Sequence, residues 1–460
     1  MTETLAAGDA AAAPAALGAP AADDLTSGPL TRAIFRMALP AIGSALLQLL
    51  FLLVDIFWVG RILGASALAA ISTAGFAVWM LLALGEMIGV GLTAVASRRH
   101  GEGAHGLAAL ASGTTLVFAL AAGVVAAVAG WLLVPAMFAV MHTPPEVTAF
   151  GRRWLTAYLV GTPLVLGFYA AEAAFRASGD TRTPLALLAV SVLITVVMDP
   201  VLILGLGPAP ALGIAGAAVA AVGTRALVLA FGLRLLMRRR LVRFALWDWR
   251  SALAVLRIGA PTAATGIFFA AVYIALTRTT TQFGTAALAA LGVGHKLEGF
   301  AYQVSIGFAL AAAALVGQNL GAGRSDRARR TGWLSARYAC AVGIVQALAF
   351  LAIPQLLVGV FSSDPAVIAE GASYLRIIAV SEITMALEVV LEGSLGGAGF
   401  TVEPMAWSAS LTAARIPLAA WLAAVLGVAG IWWAISVTAL ARGLAMALLW
   451  RGGRWEAARA

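Results

Sequence analysis

The sequence contains 460 residues, of which 62% are hydrophobic and 11% are charged, with a formal net charge of +9. This is far more apolar side chain than a soluble core of that size encloses, so lipid must be the main solvent of the protein. The positive charge does not indicate nucleic-acid binding, because the basic residues occur in short groups between long apolar runs, as in loops that face the cytoplasm.

The first 30 residues are rich in alanine and proline and contain acidic but no basic residues. A secretory signal peptide begins with a positively charged region, so we expect a disordered tail over 1–30 instead. The one cysteine, Cys340, excludes an intramolecular disulfide and a thiolate metal cluster.

Twelve apolar segments follow the tail, and each is long enough to cross a hydrocarbon core of about 30 Å as a helix. They predict an all-α integral membrane protein with twelve transmembrane helices. In chain order, the predicted spans cover residues 33–60, 67–92, 108–134, 154–175, 184–205, 213–237, 254–280, 286–316, 333–360, 371–396, 404–427 and 429–450.

The arginines between these spans alternate from one side of the membrane to the other. They cluster in every second loop, in the linker 238–250 between the sixth and seventh spans, and in the tail 451–460. The positive-inside rule therefore places both termini and the linker in the cytoplasm. Arg152 and Arg153, at the outer end of the fourth span, run against this pattern.

An internal repeat divides the chain into two halves. Pro40 is matched by Pro261, and residues 64–70 recur as residues 284–290 at an offset of 220. Each half begins and ends in the cytoplasm, so the copies insert in the same orientation, as parallel repeats with substrate bound between or within them. The two predicted six-helix lobes are the N-lobe, residues 31–237, and the C-lobe, residues 251–450.

Five short motifs carry a family resemblance. They are Pro40 with DIFWVG at 55–60, RASGDTRTP at 176–184, Asp199 with Pro200, GIAGAA at 213–218 and GQNLGAG at 317–323. In this order and spacing they resemble the multidrug and toxic compound extrusion (MATE) family over nearly the whole chain. The resemblance implies a secondary active antiporter, not an enzyme, that exports small cationic or amphipathic molecules by alternating access.

The same resemblance implies a monomer in the bacterial inner membrane that is driven by protons or sodium and needs no other cofactor. The pattern is similar to the DinF-type bacterial branch, in which aspartates of the first and fifth spans share an N-lobe cavity. Asp55 and Asp199 hold these positions, and Gln48 matches a polar position of that cavity. Thr195 departs from the pattern, since asparagine is common there.

The two aspartates are also singled out by their depth. Each lies six residues before the outer end of its span, about 9 Å inside the boundary. A lone carboxylate there is costly to ionise, so it holds a proton or a cation, or else it hydrogen-bonds within the bundle. At the repeat offset, Asp55 maps to Ala275 and Asp199 to Ala419, so the fold requires neither acid. Pro200 is expected to kink the helix beside the site.

A second polar set lies in the C-lobe and consists of Lys296 and Glu298 on the eighth span with Glu382 and Glu388 on the tenth. An unpaired ammonium at this depth should not persist, so we expect Lys296 to pair with Glu382 or Glu388. The set is either a static clamp between helices or a substrate or gating site.

Two other functions compete with export. A lipid-linked precursor flippase of the same superfamily is expected to have a cationic cavity for phosphate groups, whereas the intramembrane charges here are mostly acidic. An integral-membrane prenyltransferase needs clustered aspartates at cytoplasmic helix ends to hold magnesium diphosphate, and the sequence has none there. No histidine spacing predicts a metal site.

Overall fold

A computed structural model describes residues 25–458 except 142, 245 and 246. The described residues form helices and contain no strand. The helices are, in chain order, α1 (Leu30–Leu63), α2 (Ala65–Gly101), α3 (His105–Val140), α4 (Pro145–Val160), α5 (Thr162–Ala177), α6 (Arg182–Leu204), α7 (Ile214–Arg238), α8 (Trp249–Thr281), α9 (Thr285–Gly321), α10 (Ser325–Ala352), α11 (Pro354–Gly359), α12 (Pro365–Gly397), α13 (Val402–Leu426), α14 (Val428–Gly452) and a short 3₁₀ helix (Arg454–Ala457).

The predicted spans all fall on helices. In the described part of the chain, 10 helices are long and apolar enough to cross a membrane, and the pair α4 and α5 adds one broken span. The remaining predicted span coincides with α12, which has 33 residues and carries the glutamates of the C-lobe set. It packs against α9, α10 and α14, so these acids lie within the bundle.

The fourth predicted span is a bent helix pair instead of one straight helix. The axes of α4 and α5 differ by 52°. The break lies at Gly161, which is followed by a proline at the start of α5. Proline has no N–H to continue the hydrogen-bond ladder and its ring clashes with the preceding turn, which accounts for the bend.

The helix bounds repeat between the lobes. The helices α2 and α9 each have 37 residues and are related by the offset of 220, and α7 and α14 each have 25 residues. The last pair is related by an offset of 214, because the loop before α7 is longer than the single residue Gly427 before α14. Equivalent positions in the two lobes can therefore be compared residue by residue.

The lobes meet along α2 and α9 through two glycines that the repeat relates. A Cβ on Gly101 would lie 1.9 Å from the backbone oxygen of Gln318, and one on Gly321 would lie 2.0 Å from that of Arg98. Only glycine permits this approach of two helix backbones. The Gln318 side chain also donates a hydrogen bond to the Ala177 carbonyl of the N-lobe, 2.7 Å away. The two lobes are thus closed against each other at this end.

Farther along the helices, α9 also contacts α1. The Gln303 amide donates to the Ala45 carbonyl at 3.0 Å, and Gly307 packs on the backbone of Ile42. Beyond this level the side chains of Leu52 and Leu53 on α1 are exposed. Along α1, the described contacts between the lobes therefore end before the level of Asp55, where apolar side chains of the helix are exposed.

Both ends of the described chain pack on the bundle. Residues 1–24, part of the expected disordered tail, lie outside the described residues, as do 459 and 460 of the C-terminal tail. The described start of that tail contacts the bundle, because Leu25 is fully buried and Arg324 of the C-lobe donates to the Thr26 carbonyl. At the other end, Trp455 stacks on Trp450 with ring centroids 3.9 Å apart.

The RASGDTRTP motif forms the connection from α5 to α6. Asp180 accepts hydrogen bonds from the backbone N–H groups of Arg182 and Thr183, and pairs with Arg239 of the linker at 2.5 Å. Partial burial acts to raise the pKa of Asp180, but the Thr183 hydrogen bonds and the Arg239 guanidinium outweigh it and lower that pKa. The motif thus ties the linker to the N-lobe.

Replacing Asp180 by asparagine should lower the melting temperature in detergent at neutral pH. A lowered pKa in the folded state stabilises the protein above the unfolded-state value of about 3.9, and this contribution is lost as the pH falls through the folded-state pKa. The difference from wild type should therefore shrink on acidification, as followed by thermal unfolding between about pH 7 and pH 3. A difference that stays constant with pH would contradict the assignment.

Replacing Gly101 by valine should destabilise the closed end of the lobes. The added side chain collides with a backbone oxygen that cannot move without shifting α9, and overpacking of this kind costs about 1–3 kcal/mol. The matched control is Gly106→Val, because a Cβ on Gly106 meets nothing within 4 Å. Equal melting temperatures for the two variants would show that the contact does not hold the lobes together.

Candidate ion and substrate sites

The N-lobe site is formed by α1, α6 and α7, which pack together around Phe51, Val192 and Ala221. Asp55 on α1 is 6% exposed and Asp199 on α6 is 0% exposed. The two carboxylates act on each other electrostatically, so the structure brings together the two acids that the sequence predicted. Beside them, α6 continues through Pro200 to Leu204, and the kink expected at Pro200 stays a prediction.

The other predicted cavity residues lie close by. Thr195, one turn before Asp199, shares a hydrogen bond of 3.1 Å with the Thr224 hydroxyl of α7. Thr224 also donates to the Ala221 carbonyl of its own helix. Gln48 is half-buried on α1, two turns before Asp55. The acids thus have hydroxyl and amide groups nearby, although the described hydrogen bonds of the threonines do not include either carboxylate.

Several buried polar atoms in the N-lobe site have no partner among the described residues. They are both carboxyl oxygens of Asp199, Oδ1 of Asp55, and Nε and Nη1 of Arg225. Buried polar groups are normally hydrogen-bonded, and leaving one without a partner costs about 1–3 kcal/mol. Unsatisfied atoms on three neighbouring helices are typical of a site that holds an ion or a proton during its working cycle.

Arg225 is the site residue that the sequence analysis missed. It lies on α7, is 4% exposed, and places its guanidinium 4.7 Å from the centroid of the Phe51 ring. Its charge acts on Asp55 and on Tyr158 of α4. The available signal was an arginine in the middle of an apolar span, which is as informative as an acid there.

The predicted pairing of Lys296 in the C-lobe is wrong. Its side chain is exposed and forms no ion pair within the described part of the chain. Glu388 pairs instead with Arg442 of α14 at 3.2 Å, and Glu382 accepts a hydrogen bond of 2.9 Å from Gln346 of α10. Lys296 matches the acids in its depth along the span, but its side chain points in a different direction around the helix.

The helix geometry explains this error. Gly294 and Glu298 both face α12, because each contacts Tyr374 there. Lys296 lies two residues from either of them. At about 100° per residue it therefore points to the opposite side of α9. The same face carries Gln303, seven residues or two turns farther on, which contacts the N-lobe.

The remaining C-lobe groups form a buried polar network. Glu298 accepts a hydrogen bond from the Tyr374 hydroxyl and lies 4.0 Å from His295. Arg415 of α13 is 2% exposed and donates from Nε to Thr438 of α14 at 2.8 Å. The first group thus joins α9 to α12, and the second joins α13 to α14.

The repeat shows how the two lobes differ. Thr195 and Thr224 of the N-lobe correspond to Arg415 and Thr438 of the C-lobe, and both pairs are hydrogen-bonded. Asp199 corresponds to Ala419. The same backbone position thus carries a carboxylate in one lobe and none in the other, where an arginine lies one turn away.

Known proteins share both the sequence and the fold. The family model MatE matches the chain twice, over residues 40–201 and 261–421, which together make more than half of its length. The chain belongs to the MATE family of transporters. The double match also coincides with the internal repeat, so each lobe is one copy of the MATE unit.

Individual relatives agree with this membership. The chain is 25% identical over 442 residues to the probable multidrug resistance protein YpnP of Bacillus subtilis, covering 94% of this chain and 98% of that protein. It is 26% identical over 435 residues to an FAD transporter of Shewanella oneidensis, covering 92% and 94%. The fold is that of the Vibrio cholerae MATE transporter VcmN in the bent form, with a TM-score of 0.84 and 22% identity over 92% of this chain and 96% of that one.

MATE membership makes the protein a multi-pass membrane transporter and not an enzyme. Its predicted twelve-helix, two-lobe architecture agrees with the solved MATE structures. The unsatisfied aspartates of the N-lobe and the polar network of the C-lobe are therefore candidate sites for the coupling ion and the transported molecule.

Replacing Arg442 by glutamine should destabilise the protein, because Glu388 would be left buried with no partner. Breaking a buried ion pair costs about 3–5 kcal/mol, and removing both charges costs less than removing one. The double variant Glu388→Gln/Arg442→Gln should therefore melt at a higher temperature than Arg442→Gln. Lys296→Gln is the control and should have little effect. A double variant less stable than both single ones would refute the pairing.

Proposed function

We propose that this MATE transporter exports small cationic or amphipathic molecules from the cell in exchange for protons or sodium, with Asp55 and Asp199 as the site of the coupling ion. The observation that carries the proposal is the presence of two buried aspartates, of which both oxygens of Asp199 and Oδ1 of Asp55 lack partners among the described residues. Such a pair cannot remain doubly ionised and unsatisfied, so it takes up a cation or a proton.

The direction of transport and the type of substrate rest on two supports. Relatives such as YpnP are named as probable multidrug resistance proteins. In this chain, Glu86 of α2 and Tyr302 of α9 have exposed side chains on two helices that pack against each other between the lobes. An acid and an aromatic ring provide the two contacts that an organic cation requires.

The competing flippase function requires a cationic cavity. Three arginines are indeed buried in or near the two sites, but each has carboxylates close to it. Arg442 pairs with Glu388, Arg225 acts on Asp55, and Arg415 lies within the electrostatic reach of both Glu388 and Glu298. Their positive charges are thus compensated within the protein, which favours export of cationic or amphipathic molecules over binding of lipid phosphates.

The proposal includes the predicted topology, in which a monomer in the bacterial inner membrane has both termini in the cytoplasm. The lobes are then closed at the cytoplasmic end by the Gly101 and Gly321 contacts. An ion drives the exchange of this state with its inward-facing counterpart only if it binds the two states with different affinity. A carboxylate pair supplies that difference when one state buries it and the other hydrates it.

Neutralising either aspartate should uncouple transport without preventing membrane insertion. We expect Asp55→Asn and Asp199→Asn to reduce gradient-driven efflux of ethidium from proteoliposomes by at least about tenfold, since each removes one ionisable group from the coupling site. Ethidium binding in detergent should persist. The control is Asp326→Asn, an exposed acid at the start of α10.

If both variants transport ethidium at the wild-type rate and express normally, the aspartates are structural. The coupling site must then be sought among Glu298, Glu382 and Glu388, which form the other buried acidic set.

A further inference from the structure

We infer that Arg225 makes the N-lobe site selective for protons over sodium, by serving as a fixed internal cation that balances one of the two aspartates. This inference rests on the proposed coupling role of Asp55 and Asp199 and adds the identity of the ion. Arg225 would be a positioning residue, because it acts through the carboxylates and does not itself carry the ion.

The position of Arg225 is not explained by ordinary packing. Its guanidinium lies over the Phe51 ring, while Nε and Nη1 have no partner among the described residues. A guanidinium has five N–H donors and stays charged, so a buried one requires a nearby negative group. Asp55 is a buried acid on the same helix as Phe51, one turn farther on from the ring that the guanidinium covers.

The repeat shows that the fold does not need this charge. The equivalent of Arg225 in α14 is Ala439, which is buried at the matching position. The threonine before each of them, Thr224 and Thr438, is present in both lobes. The guanidinium is therefore a property of the N-lobe site, where the two aspartates also have alanine as their repeat counterparts.

The charges of the site then balance with one proton. Arg225 supplies one fixed positive charge against two aspartates, and Asp199 is a fully buried carboxyl group with neither oxygen bonded. A proton neutralises Asp199 because it binds directly to a carboxylate oxygen. A sodium ion would remain a full positive charge beside the guanidinium, and like charges in a site of low polarity repel strongly.

The ligands that sodium requires are also poorly provided. A hard cation is held by several oxygens. The hydroxyls of Thr195 and Thr224 are bonded to each other, and Thr224 is bonded in turn to the Ala221 carbonyl. A proton needs one oxygen, and Asp199 has two without partners.

Other titratable groups face the guanidinium from the neighbouring helices. Its charge acts on Tyr158 of α4 and on Tyr169 and Glu172 of α5. Glu172 already has a nearer cation in Arg176, at 3.6 Å. Tyrosine hydroxyls are neutral at physiological pH. Asp55 is thus the acid of this group that lacks any other described cation, and Arg225 is its counter-charge.

The test separates the two driving ions in proteoliposomes that contain the full-length protein and ethidium as the probe. A pH gradient without sodium should drive efflux by the wild type, and a sodium gradient at equal pH should not. Arg225→Lys keeps the positive charge and should keep this selectivity. Arg225→Gln should allow the sodium gradient to drive efflux at least about tenfold faster than in the wild type, because the repelling charge is gone.

The matched control is Arg234→Gln, an exposed arginine on the same helix, which should behave as the wild type. If Arg225→Gln is inactive in transport, a binding measurement in detergent takes the place of the efflux assay. It tests whether sodium chloride displaces bound ethidium, with potassium chloride as the reference salt. Displacement by sodium in that variant alone supports the inference, and its absence overturns it.

Efflux by the wild type under a sodium gradient alone would overturn the inference and leave the coupling site of the proposed function intact. Efflux under neither gradient would refute the proposed ion coupling itself. An Arg225→Gln variant that stays proton-driven and insensitive to sodium would show that Arg225 does not set the selectivity.

Discussion

The absence of water inside the bilayer is the constraint on which this structure depends. Backbone groups are satisfied within helices, and every polar side chain in the interior must find its partner in the protein. In the C-lobe each buried acid has a partner, as in the Gln346 bond to Glu382 and the Arg442 pair with Glu388, although single atoms such as His295 Nε2 and Glu388 Oε2 remain unsatisfied. In the N-lobe, Asp199 is fully buried with both oxygens unsatisfied. A buried carboxylate without any described partner points to the place where a mobile ion completes the structure.

The repeat separates what the fold requires from what function adds. Features present in both lobes, such as the glycines of α2 and α9 at the lobe contact, serve the architecture. Charges present in one lobe alone serve function, since the other lobe has alanine at the equivalent position and forms the same helix. By this criterion Asp55, Asp199 and Arg225 belong to the second group. An evolutionary duplication thus provides an internal control that a chain without repeats lacks.

Hydropathy and the repeat were sufficient to predict the helices and the two lobes, because lipid imposes a length and a composition on every span. They could not predict the break at Gly161, which depends on how one glycine and the following proline are packed. The depth of Asp55 and Asp199 could be read from sequence, whereas the direction of Lys296 around α9 could not. Arg225 was not predicted, although a buried base within an apolar span is as costly as a buried acid.

The contact between Arg98 and the end of the described chain has a consequence for biogenesis. The Arg98 guanidinium of the N-lobe donates to the carbonyl of Ala458, 360 residues later in the sequence and 2.5 Å away. This bond cannot form while the intervening chain is still being synthesised and inserted. Arg98 of α2 therefore lacks this partner throughout the synthesis of the C-lobe, whereas Gly101 on the same helix can dock as soon as α9 is in place.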